Sequence, residues 1–449
     1  MGIKVAKFGG SSVADGIQLT KTKQIITQDP DRRYIVVSAP GKRYESDNKI
    51  TDILYLCKTH IEHNLPYDQL FQVVADRFMA VQINLGIKVD LFRYFDEIRE
   101  NLKQNPSADY IASRGEYLNA VLVAAFLGYD FVDTKDLIKF DAKGKLMMPE
   151  TDEAIRAELA KHERAVLPGF YGSLPDGSVK TFSRGGSDIT GALVARAMAA
   201  DVYENWTDVS GFLMADPRIV KNPEQIRKIS YKELRELSYM GASVLHEDAI
   251  YPARMANVPI NIRNTNAPED PGTMITSEAE AYGDGDAGRI ITGIAGSKDF
   301  TVVALYKNMM SSERGFVRRI LGILDDYDIN FEHLPSGIDT VSVVMSNQSI
   351  NGRLDEVLDE FRTRLRPDSI DVFENMALIA TVGHGMSFRP GVSARLFTAL
   401  ADAGVNIRMI DQGSSEMNII VGVENKDFEK TISVIYEGFV GKENKSETI

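Results

Sequence analysis

The segment Lys4–Ser12 has the residue types that a polyphosphate needs: a lysine, two adjacent glycines and two hydroxyls. Gly9 and Gly10 allow the backbone to approach a ligand closely, and N–H groups at a helix start carry partial positive charge. Lys7 adds a full positive charge, and Ser11 adds a hydroxyl. The segment therefore predicts a phosphate-binding turn between a strand and a helix. The alternative is an ordinary strand-to-helix turn with a solvated lysine.

A second segment, Thr181–Gly191, places Arg184 before another pair of glycines and Asp188 shortly after them. A guanidinium can bind a carboxylate or a phosphate through two parallel hydrogen bonds. Asp188 is suited to orient an ammonium or a metal-bound group, so the segment favours an anion site. The alternative is structural, with Ser187 or Asp188 capping the helix that follows.

Two further places carry polar side chains that a nucleotide or an amino acid would need. The turn-rich segment Trp206–Arg218 predicts contacts with a base, a ribose and phosphates. Its polar candidates are Thr207, Asp208, Asp216 and Arg218. Asp216 with the following proline is alternatively only a turn. Glu116, in a helical pattern, either accepts hydrogen bonds from a substrate ammonium or is a solvated carboxylate.

Strand and helix patterns alternate through the first 270 residues. This alternation favours an α/β domain with a largely parallel central sheet and helices on both faces. The predicted strands are Ile3–Phe8, Tyr34–Ser38, Ala165–Tyr171 and Ala200–Trp206. The predicted helices are Thr51–His60, Gln69–Leu85, Ile111–Leu127 and Ser187–Ala199. Ligands of such sheets bind beyond the carboxyl ends of the strands, where both glycine pairs fall.

The chain repeats itself after an acidic, glycine-rich segment, Ser277–Gly288, which predicts a linker. Thr301–Met345 overlays Ala377–Val421 without a gap, at an offset of about 76 residues. The overlay pairs Met310 with Met386, Gly315 with Gly391, Arg319 with Arg395, Leu324 with Leu400, Asp326 with Asp402, Asn330 with Asn406 and Gly337 with Gly413. Each copy has the pattern strand, glycine turn, helix, strand, turn, strand, which predicts two tandem βαββ modules. A role in dimerisation alone is the alternative for them.

Bulk composition limits the classes of function. A length of 449 residues predicts two or three domains. The net charge of −13 argues against a dedicated nucleic-acid-binding protein, whose surface is expected to be basic. Cys57 is the only cysteine, so an intramolecular disulfide and a cysteine metal cage are excluded. The sequence shows no signal-peptide pattern and no long apolar run, so we expect a cytoplasmic protein without a membrane span.

Three motifs, in this order and followed by the two repeats, resemble the aspartate kinase family. They are Lys-Phe-Gly-Gly-Ser-Ser, Ser-Arg-Gly-Gly-Ser-Asp and Trp-Thr-Asp-Val-x-Gly-x-x-x-x-Asp-Pro-Arg. The resemblance covers essentially the whole chain. It implies an amino-acid-kinase-type three-layer sandwich over residues 1–285 and two ferredoxin-like ACT domains over residues 290–370 and 371–449.

The resemblance also implies the reaction: transfer of the γ-phosphoryl group of ATP, with Mg²⁺, to the side-chain carboxylate of L-aspartate. The product is 4-phospho-L-aspartate, on the way to lysine, threonine, methionine and, in many bacteria, diaminopimelate. Both reactants are anions, so the site needs cations and backbone donors more than a nucleophile of its own. A closing loop would exclude water from the labile acyl phosphate, and the polar stretch Gly41–Lys49 is the candidate for it.

The family's site residues carry over onto matching positions of this sequence. The catalytic residues would be Lys7, Arg184 and Asp188. The substrate would be held by Ser38 and Thr51 through their hydroxyls, by Glu116 at its ammonium and by Arg184 at its carboxylate. The nucleotide would contact Lys7, Gly9, Gly10, Ser11, Thr207, Asp208, Asp216 and Arg218. No residue is assigned as a protein metal ligand.

Regulation is implied by the paired repeats. We expect feedback inhibition by an end-product amino acid, with lysine the first choice and threonine the second. The effector would bind at ACT–ACT contacts between subunits of a homodimer or a dimer of dimers. The candidate effector residues are Met309, Gly315, Phe316, Ser336 and Asp339.

One departure from the family pattern supports a non-catalytic function. Ser243 stands where many relatives have a nucleotide-contacting lysine, in the stretch Gly241–Glu247. The alternatives are a non-catalytic homologue that senses an amino acid, and a kinase specific for glutamate or acetylglutamate. The intact Lys7, Arg184 and Asp188 and the order of the motifs favour an active aspartate kinase.

Overall fold

A computed structural model of the chain describes residues 2–183, 185–241, 245, 247–277 and 289–441. The predicted linker lies, from residue 278 onward, outside these described residues. The chain divides into two compact units. The first unit comprises Met1–Phe212, Gln225–Tyr231 and Val244–Gly283. The second unit comprises Leu213–Glu224, Lys232–Ser243 and Asp284–Ile449.

A mostly parallel sheet forms the centre of the first unit. In the described part its strands are β1 (Lys4–Phe8), β2 (Arg32–Val37), β3 (Asp130–Phe131), β4 (Ala165–Pro168), β7 (Val202–Thr207), β8 (Lys228–Ser230), β9 (Ile260–Asn264) and β10 (Thr273–Thr276). Their order is β3-β4-β2-β1-β7-β9-β10-β8, and only β9 and β10 pair antiparallel. A separate hairpin consists of β5 (Tyr171–Ser173) and β6 (Val179–Thr181). The predicted α/β fold with a largely parallel sheet is confirmed.

Helices cover both faces of this sheet. The described helices of the first unit are α1 (Gly16–Gln28), α2 (Ile50–Glu62), α3 (Asp68–Leu85), α4 (Leu91–Leu102), α5 (Ala108–Leu127), α6 (Met148–Leu159), α7 (Gly186–Ala197) and α9 (Glu247–Met255). Helices α1 to α5 share one apolar core with Phe8, Val37 and Trp206. Helix α7 packs on the opposite face, where the Tyr203 hydroxyl donates to the Asp188 carbonyl oxygen at 3.0 Å.

The predicted strand Ala165–Tyr171 is wrong as one element. Strand β4 ends at Pro168, which has no N–H to donate to a neighbouring strand. Phe170 then has a φ of 82°, a left-handed conformation that ends an extended run. Tyr171 begins the β5–β6 hairpin, so the chain leaves the central sheet just where the segment reaches the carboxyl end of β4.

An antiparallel sheet organises the second unit. Its described strands are β11 (Gly293–Tyr306), β12 (Thr340–Ser346), β13 (Ser369–Val382), β14 (Met409–Asp411) and β15 (Asn418–Glu424), in the order β12-β11-β13-β15-β14. The described helices are α8 (Tyr231–Tyr239, in this unit from Lys232), α10 (Phe316–Asp326), α11 (Asn347–Ile350), α12 (Leu354–Glu360), α13 (Val392–Asp402) and α14 (Phe428–Phe439). No helix of the described chain is both long enough and apolar enough to cross a membrane.

The two repeats coincide in structure at the predicted offset. Helices α10 and α13 have 11 residues each and end at the paired Asp326 and Asp402. The paired Gly315 and Gly391 precede these helices, both with a positive φ. The predicted βαββ pattern lacks one helix, because each copy ends with a further helix, α12 in the first copy and α14 in the second. In the first copy, isolated bridges replace the strand that corresponds to β14.

Candidate active site

Five of the predicted site residues line one cleft of about 320 Å³ in the first unit. They come from five places: the end of β1, the residue after β2, the start of α2, the middle of α5 and the first turn of α7. The residues are Lys7, Ser38, Thr51, Glu116 and Asp188. Because β1 and β2 are parallel neighbours, their carboxyl ends meet at one edge of the sheet.

The charged centre of the cleft is an ion pair between Lys7 and Asp188. Lys7 Nζ lies 2.5 Å from Asp188 Oδ1, and Lys7 is buried. The Asn205 amide donates to the same Asp188 oxygen at 2.8 Å, and its own oxygen lies 3.5 Å from Lys7 Nζ. Lys7 is therefore not a solvated surface lysine, since its ammonium is directed into the cleft by two side chains.

The amino end of helix α7 forms part of the cleft wall. Gly185 has a φ of 58° and caps the helix without a side-chain hydrogen bond, so neither Ser187 nor Asp188 acts as the cap. Gly185, Gly186 and Ser187 line the cleft. The first N–H groups of a helix lack intrahelical acceptors and carry partial positive charge, which favours an anion here. Arg184, predicted to be catalytic and substrate-binding, lies outside the described residues.

Glu116 is a buried carboxylate at the wall of the cleft, which excludes the alternative of a solvated side chain. Burial raises its pKa to about 7, and a backbone hydrogen bond from Ala39 and the charge of Arg114 oppose the rise. Glu116 Oε2 is buried and has no hydrogen-bond partner within the described protein. An ammonium group entering the cleft would supply the missing donor and hold the carboxylate ionised.

The turn after β1 packs against neighbouring loops. The Gly9 N–H donates to the Trp206 carbonyl oxygen at 3.0 Å, which joins this turn to the end of β7. A short 3₁₀ helix follows at Gly10–Val13, with Ser11 in its first turn. The N–H group of Gly9 is therefore occupied, and the predicted phosphate contacts of this turn depend on Gly10, Ser11 and Lys7.

The predicted nucleotide segment divides between the two units. Thr207 ends β7 in the first unit, and its hydroxyl lies 3.2 Å from Asp208 Oδ1. Asp216 and Arg218 belong to the second unit, where the Arg218 guanidinium lies 2.6 Å from Asp216 Oδ2. Arg218 lowers the pKa of Asp216 through this hydrogen bond. Their nucleotide role stays a prediction, and Ser243 lies outside the described residues.

Sequence reasoning assigned no site role to four residues of the cleft region: Lys49, Asp52 and Phe170, which line the cleft, and Asn205, which contacts Lys7 and Asp188. Lys49 lines the cleft at the start of α2 and adds a second cation. Asn205 joins Lys7 and Asp188. The available signal for Asn205 was an amide within the otherwise buried strand Val202–Thr207, because a buried polar side chain needs a hydrogen-bond partner. A local pattern could not have identified that partner.

The carboxylates that line the cleft are the groups that would hold a magnesium ion bound with a nucleotide. Among the described residues, no group of three or more His, Cys, Asp or Glu side chains is placed to hold a metal ion. Mg²⁺ at nucleotide sites typically takes one or two carboxylates, with phosphates and waters completing its shell. Asp52, Glu116 and Asp188 are the carboxylates that line the cleft, and Asp188 is the one paired with Lys7.

The predicted effector residues lie on two turns that meet in the second unit. The Ser311 N–H donates to the Ile338 carbonyl oxygen at 3.1 Å, and Lys307 N–H donates to that of Asp339 at 2.9 Å. Gly315 precedes α10, and Phe316, the first residue of that helix, is buried. Met309, Gly315, Ser336 and Asp339 lie outside the helix, and the effector role of these four residues and of Phe316 stays a prediction.

Comparisons with known proteins agree with this architecture. A sequence profile of the amino acid kinase family matches residues 2–264, and an ACT domain profile matches residues 379–439. Aspartokinase 3 of Bacillus subtilis (strain 168) is 37% identical over 97% of this chain and 98% of that protein. The lysine-sensitive aspartokinase 3 of Escherichia coli (strain K12) is 26% identical over 97% of this chain and 98% of that protein. The crystal structure of Clostridium acetobutylicum aspartate kinase has a TM-score of 0.89 and 50% identity, covering 98% of this chain and 100% of that chain.

The chain therefore belongs to the amino acid kinase family. Its full-length relatives within that family are aspartokinases, so the predicted resemblance, the enzyme class and the presence of ACT-type regulatory modules are confirmed. The predicted domain boundaries and the roles of individual site residues stay predictions.

Proposed function

We propose that this protein transfers the γ-phosphoryl group of ATP to the side-chain carboxylate of L-aspartate, giving 4-phospho-L-aspartate and ADP. The observation that carries the proposal is the Lys7–Asp188 pair beside the open start of α7. Phosphoryl transfer needs positioned cations and backbone donors. In the cleft, the Lys7 ammonium and the first N–H groups of α7 are such groups, and they lie side by side. The B. subtilis relative, an aspartokinase over its whole length, supports the choice of substrate.

The aspartate is oriented by several polar groups of the cleft. Glu116 receives the substrate ammonium, which explains a carboxylate kept buried with an unsatisfied oxygen. Ser38 and Thr51 also line the cleft and offer hydroxyls to the substrate. Arg184 is assigned to a substrate carboxylate by the family motif. These contacts direct the side-chain carboxylate toward Lys7, where the phosphoryl group is expected.

The chemical step is a direct displacement. A side-chain carboxylate oxygen of aspartate forms a bond to the γ-phosphorus, while the bond from that phosphorus to the β,γ-bridging oxygen breaks, and ADP leaves with the electron pair. Lys7 and the first N–H groups of α7 stabilise the charge spread over the transferring oxygens. Mg²⁺, when bound with ATP, adds neutralisation of phosphate charge. No proton transfer and no protein nucleophile are required.

A hydroxamate assay tests this function. Hydroxylamine traps an acyl phosphate, so enzyme with Mg-ATP is offered L-aspartate, L-glutamate or N-acetyl-L-glutamate in parallel. We expect trapped product with aspartate and at most trace product with the others. Product only with a glutamate substrate would replace the proposal with the glutamate-specific alternative. No product with any acceptor, together with measurable binding of an end-product amino acid, would favour the non-catalytic sensor.

We further propose that the second unit mediates feedback inhibition, with lysine as effector. The E. coli relative is lysine-sensitive, and the two predicted effector turns are adjacent here. By thermodynamic linkage, a lysine that weakens substrate binding is itself bound more weakly when substrate is present. The test is kinase activity with lysine, threonine or methionine, singly and combined. Inhibition by threonine alone, or by none of them, would contradict the choice of lysine.

Association of subunits through the second unit is part of the same proposal. Large apolar side chains stand exposed there, with Phe388 92% exposed and Ile338 76% exposed. A contiguous exposed apolar patch is typical of a surface that another chain covers, and these two side chains are the candidates for such a patch. We expect a homodimer or a dimer of dimers in light scattering after gel filtration. Replacing Phe388 and Ile338 by serine should lower the molar mass toward that of a single chain, and an unchanged mass would contradict this surface.

A further inference from the structure

Arg77 on helix α3 is a buried guanidinium that reaches several main-chain oxygens. It donates to the carbonyl oxygen of Asn48 at 2.8 Å, to that of Gly41, and to that of Ala14 at 3.5 Å. It also lies 3.4 Å from a carboxylate oxygen of Asp47. Several acceptors thus converge on one side chain of α3, and none of them belongs to that helix.

The acceptors belong to two loops that border the cleft. Ala14 follows the 3₁₀ helix Gly10–Val13 of the predicted phosphate turn. Gly41 and Asn48 lie at the two ends of the loop between β2 and α2, which leads directly into Lys49 and Thr51 of the cleft. The loop that the sequence predicts as a closing loop is therefore held at both ends by Arg77.

The two loops also touch each other. The Gly41 N–H donates to the Gly10 carbonyl oxygen at 2.8 Å. A Cβ on Gly41 would lie 2.7 Å from the carbonyl carbon of Gly10, closer than any real contact allows. Because the backbones already meet this closely, a guanidinium that fixes Gly41 also limits where Gly10 can move.

Asp47 completes the arrangement around Arg77. It is buried, and Arg43 binds it through both carboxylate oxygens at 2.8 and 3.0 Å. These hydrogen bonds and the nearby Arg77 hold the pKa of Asp47 well below its usual range. Arg77 therefore forms an ion pair with Asp47 in addition to its hydrogen bonds to the loop carbonyl oxygens. A lysine could not reproduce the pattern, because an ammonium is a point charge without the planar fork of donors.

We propose that Arg77 is a positioning residue for phosphoryl transfer, setting the phosphate turn after β1 and the substrate loop after β2 in one fixed relation. The proposal rests on the proposed function only for the identity of the substrates. Arg77 acts through the loop carbonyls and is assigned no contact with a substrate. Misplacement of reacting groups by about 1 Å costs on the order of 100-fold in rate, so a loosened loop pair should be visible in turnover.

The test compares Arg77→Lys with Arg32→Lys in the full-length protein. Arg32 is a matched control, because it is equally buried and binds the Glu204 carboxylate at 2.7 Å and the Ile25 carbonyl oxygen. It lies at the amino end of β2, away from the cleft. Both variants should lose thermal stability. Only Arg77→Lys should lose about 10- to 100-fold in kcat/KM for aspartate and ATP, measured well below its melting temperature.

Equal kinetic losses in the two variants, or a loss of less than threefold in Arg77→Lys, would overturn the proposal. Should Arg77→Lys fail to fold, Asp47→Asn removes the charge beside Arg77 with little change of shape. It is expected to lower kcat/KM at least threefold, and unchanged kinetics in that folded variant would overturn the proposal.

Should the wild type lack aspartate-dependent turnover, the proposed function fails separately. In that case the proposal for Arg77 is tested by measuring the affinity for Mg-ADP by calorimetry. We expect weaker binding in Arg77→Lys than in Arg32→Lys, and equal affinity in both variants would overturn the proposal.

Discussion

Lys7 Nζ and Asp188 Oδ1 lie 2.5 Å apart, joining the end of strand β1 to the first turn of helix α7. Lys7 is buried and Asp188 is partly exposed, and the amide of Asn205 donates to the same Asp188 oxygen that pairs with Lys7. This relation keeps an ammonium at the edge of the sheet, beside the first N–H groups of α7. The Lys7 ammonium is therefore in position before the phosphoryl group binds, so the site is preorganised for the transfer.

Replacing Lys7 by methionine should lower kcat by at least about 100-fold, because the charge nearest the transferring group is lost. The fold should persist, since methionine fills much of the same volume. Steady-state kinetics with aspartate and Mg-ATP measures the effect, and circular dichroism checks the fold. Lys4→Met on the same strand is the control, because Lys4 pairs with Asp29 at a partly exposed site and should leave turnover unchanged. Near-normal turnover in Lys7→Met would refute the role assigned to Lys7.

Replacing Asn205 by leucine should reduce kcat without a comparable change in either KM. The Asn205 amide donates to Asp188 Oδ1 at 2.8 Å, so its loss frees that carboxylate to change its orientation toward Lys7. We expect a loss of about tenfold, as for one positioning hydrogen bond to a charged group. Full kinetic profiles of wild type and Asn205→Leu provide the measurement. An unchanged kcat would show that Lys7 and Asp188 maintain their geometry without the amide.

Aspartate use should depend on pH through Glu116. Its pKa in the free protein is raised to about 7, and only the ionised form can accept an ammonium. The kcat/KM for aspartate, which reports the free enzyme, should therefore fall up to tenfold per pH unit below about pH 7. Glu116→Gln should have a low kcat/KM that stays flat over the same range. A profile in Glu116→Gln with the wild-type slope would exclude Glu116 as the titrating group.

The same group predicts a pH-dependent stability of the ligand-free protein. Because burial raises the folded pKa from 4.5 to about 7, the folded state keeps a proton that the unfolded state releases between those values. Stability from this group is therefore full below pH 4.5 and is lost as pH rises through 7, by about 3 kcal/mol. Glu116→Gln should be more stable than wild type at pH 8 and similar at pH 4.5. Denaturant unfolding at both pH values checks the difference, and equal stability at pH 8 would contradict it.

Gly41→Ala should impair catalysis by separating the two loops of the cleft. The added Cβ would meet the backbone of Gly10 at 2.7 Å, so the loops must shift apart. Gly322→Ala is the contrasting variant, because its Cβ would meet no atom within 4 Å in helix α10. It should gain about 0.5–1 kcal/mol in stability and keep full activity. Equal activity of Gly41→Ala and wild type would show that this loop contact is not needed.

The repeat and the regular elements were predictable because their signals are local. A constant offset between the two copies identified helices that end at the paired Asp326 and Asp402. The predicted bounds of α2, α3 and β1 agree with the structure to within two residues, since apolar periodicity and turn residues mark them. The prediction of one strand over Ala165–Tyr171 was wrong because Phe170 has a positive φ, which a phenylalanine rarely adopts and which the sequence therefore does not indicate.

The site was predictable only in part, for a related reason. Motif order brought Lys7, Glu116 and Asp188 into consideration, and the parallel sheet assembles them in one cleft. Asn205 and Arg77 escaped notice because their partners are distant in sequence and are set by topology. No spacing rule relates Arg77 on α3 to the carbonyl oxygens of the loop after β2.

Phosphorus NMR of the running reaction tests the central claim most directly. Purified wild-type protein with Mg-ATP and L-aspartate should show ADP and an acyl phosphate signal growing in equal amounts, with neither appearing when aspartate is omitted or when Lys7→Met replaces the wild type. Formation of ADP with inorganic phosphate alone, independent of aspartate, would contradict the account.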